Sequence, residues 1–332
     1  MFRPSAVLSS GIFLLLAPLS FAQPAKQGSA AAPDAAAAAK GTRLAESGHC
    51  AEALPLLKKS IRHIADEDAR KRAGLDGLHC AMTGKNSYDS IEFLQVLVRD
   101  FPRDPEVLYA ATHAFSDLSL RASQGLIHEA PFSYQVHMLN AESLETQGKW
   151  PEAAAEYGKI IDINPRLPGI HARVGRALLS TPQPTPEAVA QAKKSFEDEL
   201  EIDPRNALAE YVLGELSKDA DDLSAAIRHY LRATQIDSGF AEAYLGLGAA
   251  QVALTNFSDA IPPLETYEKL APDSPTGHYQ LALAYAGVGR KEDANREAAL
   301  QREAAKSLEQ IKRNVVEGLE RQTGQGTQKP PQ

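Results

Sequence analysis

Residues 241–274 read AEAYLGLGAAQVALTNFSDAIPPLETYEKLAPDS. Small and apolar residues recur at helical spacing from Ala241 to Leu254, and Thr255-Asn256 interrupts them. A second helical stretch runs from Ser258 to about Leu270, and Pro272 closes it because proline cannot continue the hydrogen-bond ladder. The segment is therefore a helix, a turn and a helix. It returns along the chain: Ala192, Ala226, Ala260 and Ala294 lie 34 residues apart, as do Gly214, Gly248 and Ala282, and also Ala141 and Gly175. The closing turns recur as Ile163-Asn-Pro165, Ile202-Asp-Pro204, Ile236-Asp-Ser238 and Leu270-Ala-Pro272. From Gly175 to Gly214 the step is 39, and the extra residues fall in Ser180–Pro186, a Pro-rich stretch that reads as a loop. A fixed period of this length marks a repeat array, in which no helix pair buries enough surface alone and stacking makes the core.

Antiparallel helices approach most closely at small side chains, so Gly214 is expected against Ala226 and Gly248 against Ala260. Tyr157, Phe196, Tyr230 and Leu264 are expected to fill the space between neighbouring pairs. In 241–274 the set Tyr244, Leu247-Gly248, Phe257, Ala260, Leu264 and Pro272 resembles the tetratricopeptide repeat (TPR), with Tyr267 departing where a small residue is usual. The resemblance implies an all-α fold, a right-handed superhelix of antiparallel helix pairs. It divides the chain into degenerate units over 34–133 (34–67, 71–104 and a shortened 105–133) and a regular array over 134–308 (134–167, 168–206, 207–240, 241–274 and 275–308). Asp34 reads as the N-cap of the first helix. Residues 309–319 read as an extended capping helix and 320–332 as a disordered tail.

The first residues read as a secretory signal. Arg3 supplies the positive start, Ala6–Ala17 the short apolar run, and Ser20-Phe21-Ala22 the small residues that place cleavage between Ala22 and Gln23. Residues 23–33 then form a flexible leader, and the mature chain is expected in a periplasm or outside the cell, with no membrane span left after cleavage. The formal net charge is −8, and −9 without residues 1–22. That balance argues against nucleic acid, whose phosphates need clustered Lys and Arg. Apolar residues make up 43% and charged residues 23%, a folded chain's composition rather than a disordered one's.

The motifs of nucleophilic, nucleotide-binding and zinc-protease catalysis are absent from the sequence, and almost no residues remain outside the array for a catalytic domain, so no enzyme and no cofactor is expected. The two cysteines invite two readings. Cys50 near the start of a second helix and Cys80 near the end of the next unit's first helix meet if those helices stack, and a disulfide there closes a loop of about 30 residues, adding about 3 kcal/mol. Two buried free thiols are the plainer alternative. A metal or redox role for His49, Cys50, His79 and Cys80 is the weaker idea, because adjacent residues on a helix point about 100° apart. The acidic runs Glu197-Asp198-Glu199 and Asp219–Asp222 read as a solvated face and a turn.

In the family that the chain resembles, first helices line a concave groove that binds other proteins or peptides. The resemblance therefore implies a binding scaffold, and repeat position selects Tyr109, His113, Met138, Glu142, Arg176, Tyr211, Glu215, Leu245 and Tyr279. The Lys, Asn and Arg places of the carboxylate-clamp subfamily hold Tyr211 with Glu215 and Leu245 with Ala249, so that clamp is not recognisable. A glycan or cell-wall ligand in the same groove is the alternative. It would need several flat exposed aromatics, whereas Trp150, the one tryptophan, falls at an inter-helix turn.

Overall fold

The computed structural model describes residues 31–84 and 87–325 of the 332-residue chain. The signal segment 1–22, leader residues 23–30 and tail residues 326–332 lie outside them. The described residues form fifteen α-helices and no strand. Contacts divide the chain into two units, Met1–Gly125 and Leu126–Gln332.

The first unit pairs α1 (Ala31–Glu46) with α2 (Cys50–Ser60), and α3 (Glu67–Thr83) with α4 (Ser90–Asp100). Asp34 lies inside α1 and not before it, because the alanine-rich stretch continues the helix upstream to Ala31. Asp66 is a working cap: its side chain accepts from the Ala69 amide at the start of α3. The core is large and continuous, with Leu57, Ile61, Phe93 and Leu97 fully buried. Phe93 reaches this depth because α3 offers it Gly77, where an added Cβ would lie 2.2 Å from the ring. Over 105–133 a shortened helix pair is expected, but one helix, α5 (Pro105–Glu129), fills the stretch. No Gly, Pro or Asn interrupts residues 106–124, so nothing there makes a turn. Asp104 caps α5 through the Glu106 and Val107 amides.

The second unit is the regular array. Its pairs are α6 (Tyr134–Thr146) with α7 (Trp150–Ile163), α8 (Ile170–Ser180) with α9 (Pro186–Ile202), and α10 (Ala207–Asp219) with α11 (Leu223–Ile236). Then come α12 (Ala241–Ala253) with α13 (Phe257–Leu270), and α14 (Pro275–Gly287) with α15 (Lys291–Gln325). Helix α15 continues past Leu319, the end read from the sequence. The hairpin turns reuse one backbone device, a positive φ at Gly148, Asp221, Thr255 and Gly289.

The close approach differs in detail from the expected pairing of small residues. In α8, α10 and α12 the first-helix glycine receives the bulky residue one turn beyond the second helix's alanine. An added Cβ would lie 2.6 Å from Phe196 at Gly175, 2.6 Å from Tyr230 at Gly214 and 2.4 Å from Leu264 at Gly248. An added Cβ at Gly246 of the following unit would lie 2.8 Å from the same Tyr230 ring, so one ring seats on two glycines. The departure at Tyr267 is accommodated locally: Gly277 leaves room for its ring and its hydroxyl donates to Ser274 Oγ at 2.9 Å.

The reading of Glu197-Asp198-Glu199 as a wholly solvated face is corrected here. Glu199 on α9 is fully buried, and its carboxylate accepts from the amides of Gly169 (2.7 Å) and Ala172 (3.3 Å). It caps the start of α8 across the hairpin, where free amides and the helix dipole favour a negative group.

Candidate partner-binding surface

In the first unit the two cysteines, at the head of α2 and near the end of α3, form a disulfide with Cα atoms 4.9 Å apart. Both sulfurs are thereby used, which removes them as metal ligands, and His49 Nδ1 instead faces Ser47 Oγ at 3.0 Å. Beyond this staple, α3 and α5 bound a cleft of about 370 Å³. Leu75, Leu78 and Met82 form one wall and Ala110 and Ala114 the other, while His79, His113 and Asp117 supply the polar groups. Tyr109, 70% exposed, stands edge-on to His113 with ring centroids 4.5 Å apart. Of the residues selected by repeat position, His113 thus lines a cleft whose walls the sequence did not mark, with Tyr109 against its ring.

In the second unit consecutive first helices touch, α10 with α12 and α12 with α14, so their outer faces form a continuous row. Helix pairs recurring every 34 residues, with each first-helix glycine seated under a bulky second-helix residue, define the architecture. It is a solenoid of antiparallel helix pairs, and its repeat unit resembles the tetratricopeptide repeat.

Between α6 and α8, Glu142 pairs with Arg173 at 3.4 Å, and Arg176 with Glu145 at 3.1 Å. Arg173 and Glu145 sit one helical turn from Glu142 and Arg176, and repeat position alone does not select them. Arg173 also donates to Tyr157 Oη at 3.1 Å, and burial pushes that phenol above its ordinary value. Tyr211 packs against Phe240 and Tyr230 at 4.9 and 5.9 Å, and burial followed by Glu215 raises its phenol likewise. Glu215 accepts from Tyr230 Oη and meets Lys218 Nζ at 2.5 Å. Met138 and Leu245 are partly buried against the cores beneath them. Tyr279 stands apart, 51% exposed. Trp150 opens α7 at the hairpin turn and is half-buried.

A second electrostatic pattern repeats. His137 on α6 meets Glu156 on α7 at 2.8 Å, and His278 on α14 meets Glu297 on α15 at 2.8 Å. At the same two repeat positions of the α10–α11 hairpin the residues are exchanged: Glu210 on α10 meets His229 on α11 at 2.8 Å. Burial works to raise the Glu156 carboxyl, but Lys159 and His137 outweigh it and hold the group below its ordinary range.

No family model and no curated protein matches the chain. Solved structures resemble it. The MamA protein is 22% identical, the likeness covering 52% of this chain and 92% of MamA with a TM-score of 0.47. YrrB, described as a TPR protein with an unusual peptide-binding site, is 18% identical over 55% of this chain and 92% of its own, with a TM-score of 0.48. A MamA segment from Desulfovibrio magneticus RS-1 is 17% identical over 52% and 96%, with a TM-score of 0.47. Among the described residues no helix is long and apolar enough to cross a membrane.

Proposed function

We propose that this chain is a non-catalytic docking protein that binds a segment of another protein along its first helices. The α3–α5 cleft carries the reading. Its apolar walls, with an exposed tyrosine and a few polar groups beside them, suit one apolar side chain of an extended or helical peptide. The walls are already folded, so little ordering entropy is lost on this side. In the second unit, Tyr279 and the Glu142–Arg173 and Glu145–Arg176 pairs offer further exposed contacts that set register. Glu215 and Leu245 serve the fold's own contacts and add less. Export belongs to the same proposal. It rests on the character of residues 1–22 and is supported by the Cys50–Cys80 bond, since disulfides persist in oxidising compartments such as a periplasm or the outside of the cell.

Selection of displayed peptides against the folded chain tests the cleft. Tyr109→Ala removes the exposed ring, and Ala110→Trp fills the space without deleting a contact. Each is expected to weaken the selected peptides at least tenfold, a loss of about 1.4 kcal/mol. Equal affinity for wild type and both variants removes the cleft from the reading. Tyr279→Ala tests the second unit more cleanly than Tyr211→Ala, because Tyr211 is packed against two rings. Intact mass of the exported protein tests cleavage before Gln23, and a mass that retains residues 1–22 sinks that part of the proposal.

A further inference from the structure

Glu268 on α13, His278 on α14 and Glu297 on α15 converge in the last hairpins, each offering a ligand atom, all within 4.8 Å of one another. His278 Nδ1 lies 2.8 Å from Glu297 Oε2 and 3.6 Å from Glu268 Oε1. The histidine and Glu297 are each 5% exposed, and Glu268 is 32% exposed.

The array itself supplies the control. A His–Glu pair is an ordinary feature of these hairpins, and the pairs at His137 and His229 show it without a second carboxylate on the ring. Glu268 is the exception. Its repeat-equivalent positions hold Ile161, Leu200 and Thr234, the first two packed against apolar clusters and the third buried. Of the second helices of this unit only α13 sets a carboxylate there, and α15 holds Arg302 at the equivalent position. Two carboxylates on one imidazole carry more negative charge than a single ring proton neutralises. Arg296 approaches Glu297 Oε1 at 3.8 Å but is 58% exposed.

The far side of the ring is already fixed. Nε2 lies 3.0 Å from the Pro272 carbonyl, which can only accept, so the proton belongs on Nε2. A remote N–H held by a carbonyl is how a metal-ligating imidazole is oriented, leaving Nδ1 as the donor atom.

We propose that Glu268, His278 and Glu297 form a divalent-cation site of the zinc class. With a neutral ring, the two carboxylates balance a divalent charge. One imidazole nitrogen and two carboxylate oxygens suit Zn²⁺, whereas Ca²⁺ and Mg²⁺ favour all-oxygen sets. Three protein ligands leave a further position open to water. His278 also lines an open cavity of about 520 Å³ shared with Asp273 and Glu303, an acidic approach for a cation. Occupancy ties α13, α14 and α15 together at the end of the array.

The test is calorimetric titration of Zn²⁺ into the chelator-treated full chain, with thermal unfolding alongside. One Zn²⁺ per chain is expected, and at a hundredfold excess over Kd the unfolding midpoint of the second unit rises by roughly 5–10 °C. Ca²⁺ gives no comparable rise. Glu268→Thr installs the residue that the preceding unit carries, so the metal-free fold is retained and Zn²⁺ affinity falls tenfold or more. His278→Gln gives the same loss, and if that variant fails to fold, Glu268→Thr decides alone. Absence of saturable Zn²⁺ binding up to roughly millimolar concentration, or unchanged binding in Glu268→Thr, overturns the site.

Discussion

The two units hold themselves together differently. In the first, one apolar cluster runs from Ala38 to Ala114 and a disulfide crosses it. In the second, four smaller clusters follow one another, each at a hairpin or at the contact to the next. A strict period produces repeated local cores, so stability there is close to a sum over neighbours. Without the period, the chain builds one shared core and adds a cross-link.

The sharpest way to break this comparison is to empty one seat in each unit. Phe93→Ala and Phe196→Ala each remove a fully buried ring from a glycine seat and are expected to cost about 4 kcal/mol. Hydrogen exchange distinguishes them: Phe93→Ala should loosen all of α1–α4, and Phe196→Ala only α8–α10. Loosening that spreads to α15 in the second variant would erase the distinction. Next in size is the cross-link, which spans 30 residues. Reduction, or Cys50→Ser with Cys80→Ser, is expected to take about 3 kcal/mol from the first unit in urea unfolding and leave the second unit's transition in place.

A smaller effect depends on pH. The folded Glu156 carboxyl lies below its ordinary value of 4.5, so its contribution is complete above that value and is lost as pH falls through the lower folded value. Urea midpoints of the second unit should therefore drop on acidification, and Glu156→Gln should flatten that slope. The smallest change is a gain. Thr255 is a β-branched residue at φ 61°, where the other turns of the array use glycine, aspartate or glutamine. Thr255→Gly is expected to stabilise by up to about 1 kcal/mol, measured as a raised unfolding midpoint.

The helix pairs of the second unit were legible because Gly175, Gly214 and Gly248 sit on the period and the turns recur after it. The seats beneath them were less so: which bulky residue covers a glycine depends on the axial offset of two helices, and that offset is not a spacing in sequence. In the first unit, α5 was missed as a single helix because repeat logic expects a break that residues 106–124 do not contain. Glu199 was misread for a related reason. Within its acidic run nothing separates it from its neighbours, and only the hairpin brings the start of α8 to it. Of the candidate surface, Tyr109 and His113 followed from repeat position, while Leu75 and Met82 across the cleft did not. Arg173 and Glu145 were one turn away from the positions chosen.

The exchanged pair Glu210–His229, set beside His137–Glu156 and His278–Glu297, has a consequence for how such a chain stores information. Read one column at a time, each of the two positions looks variable, since it holds histidine in one hairpin and glutamate in another. Read as a couple, the three hairpins spell the same word in two directions. What these hairpins hold fixed is a relation between helices, so a double exchange that preserves the couple leaves the message intact where either single change garbles it.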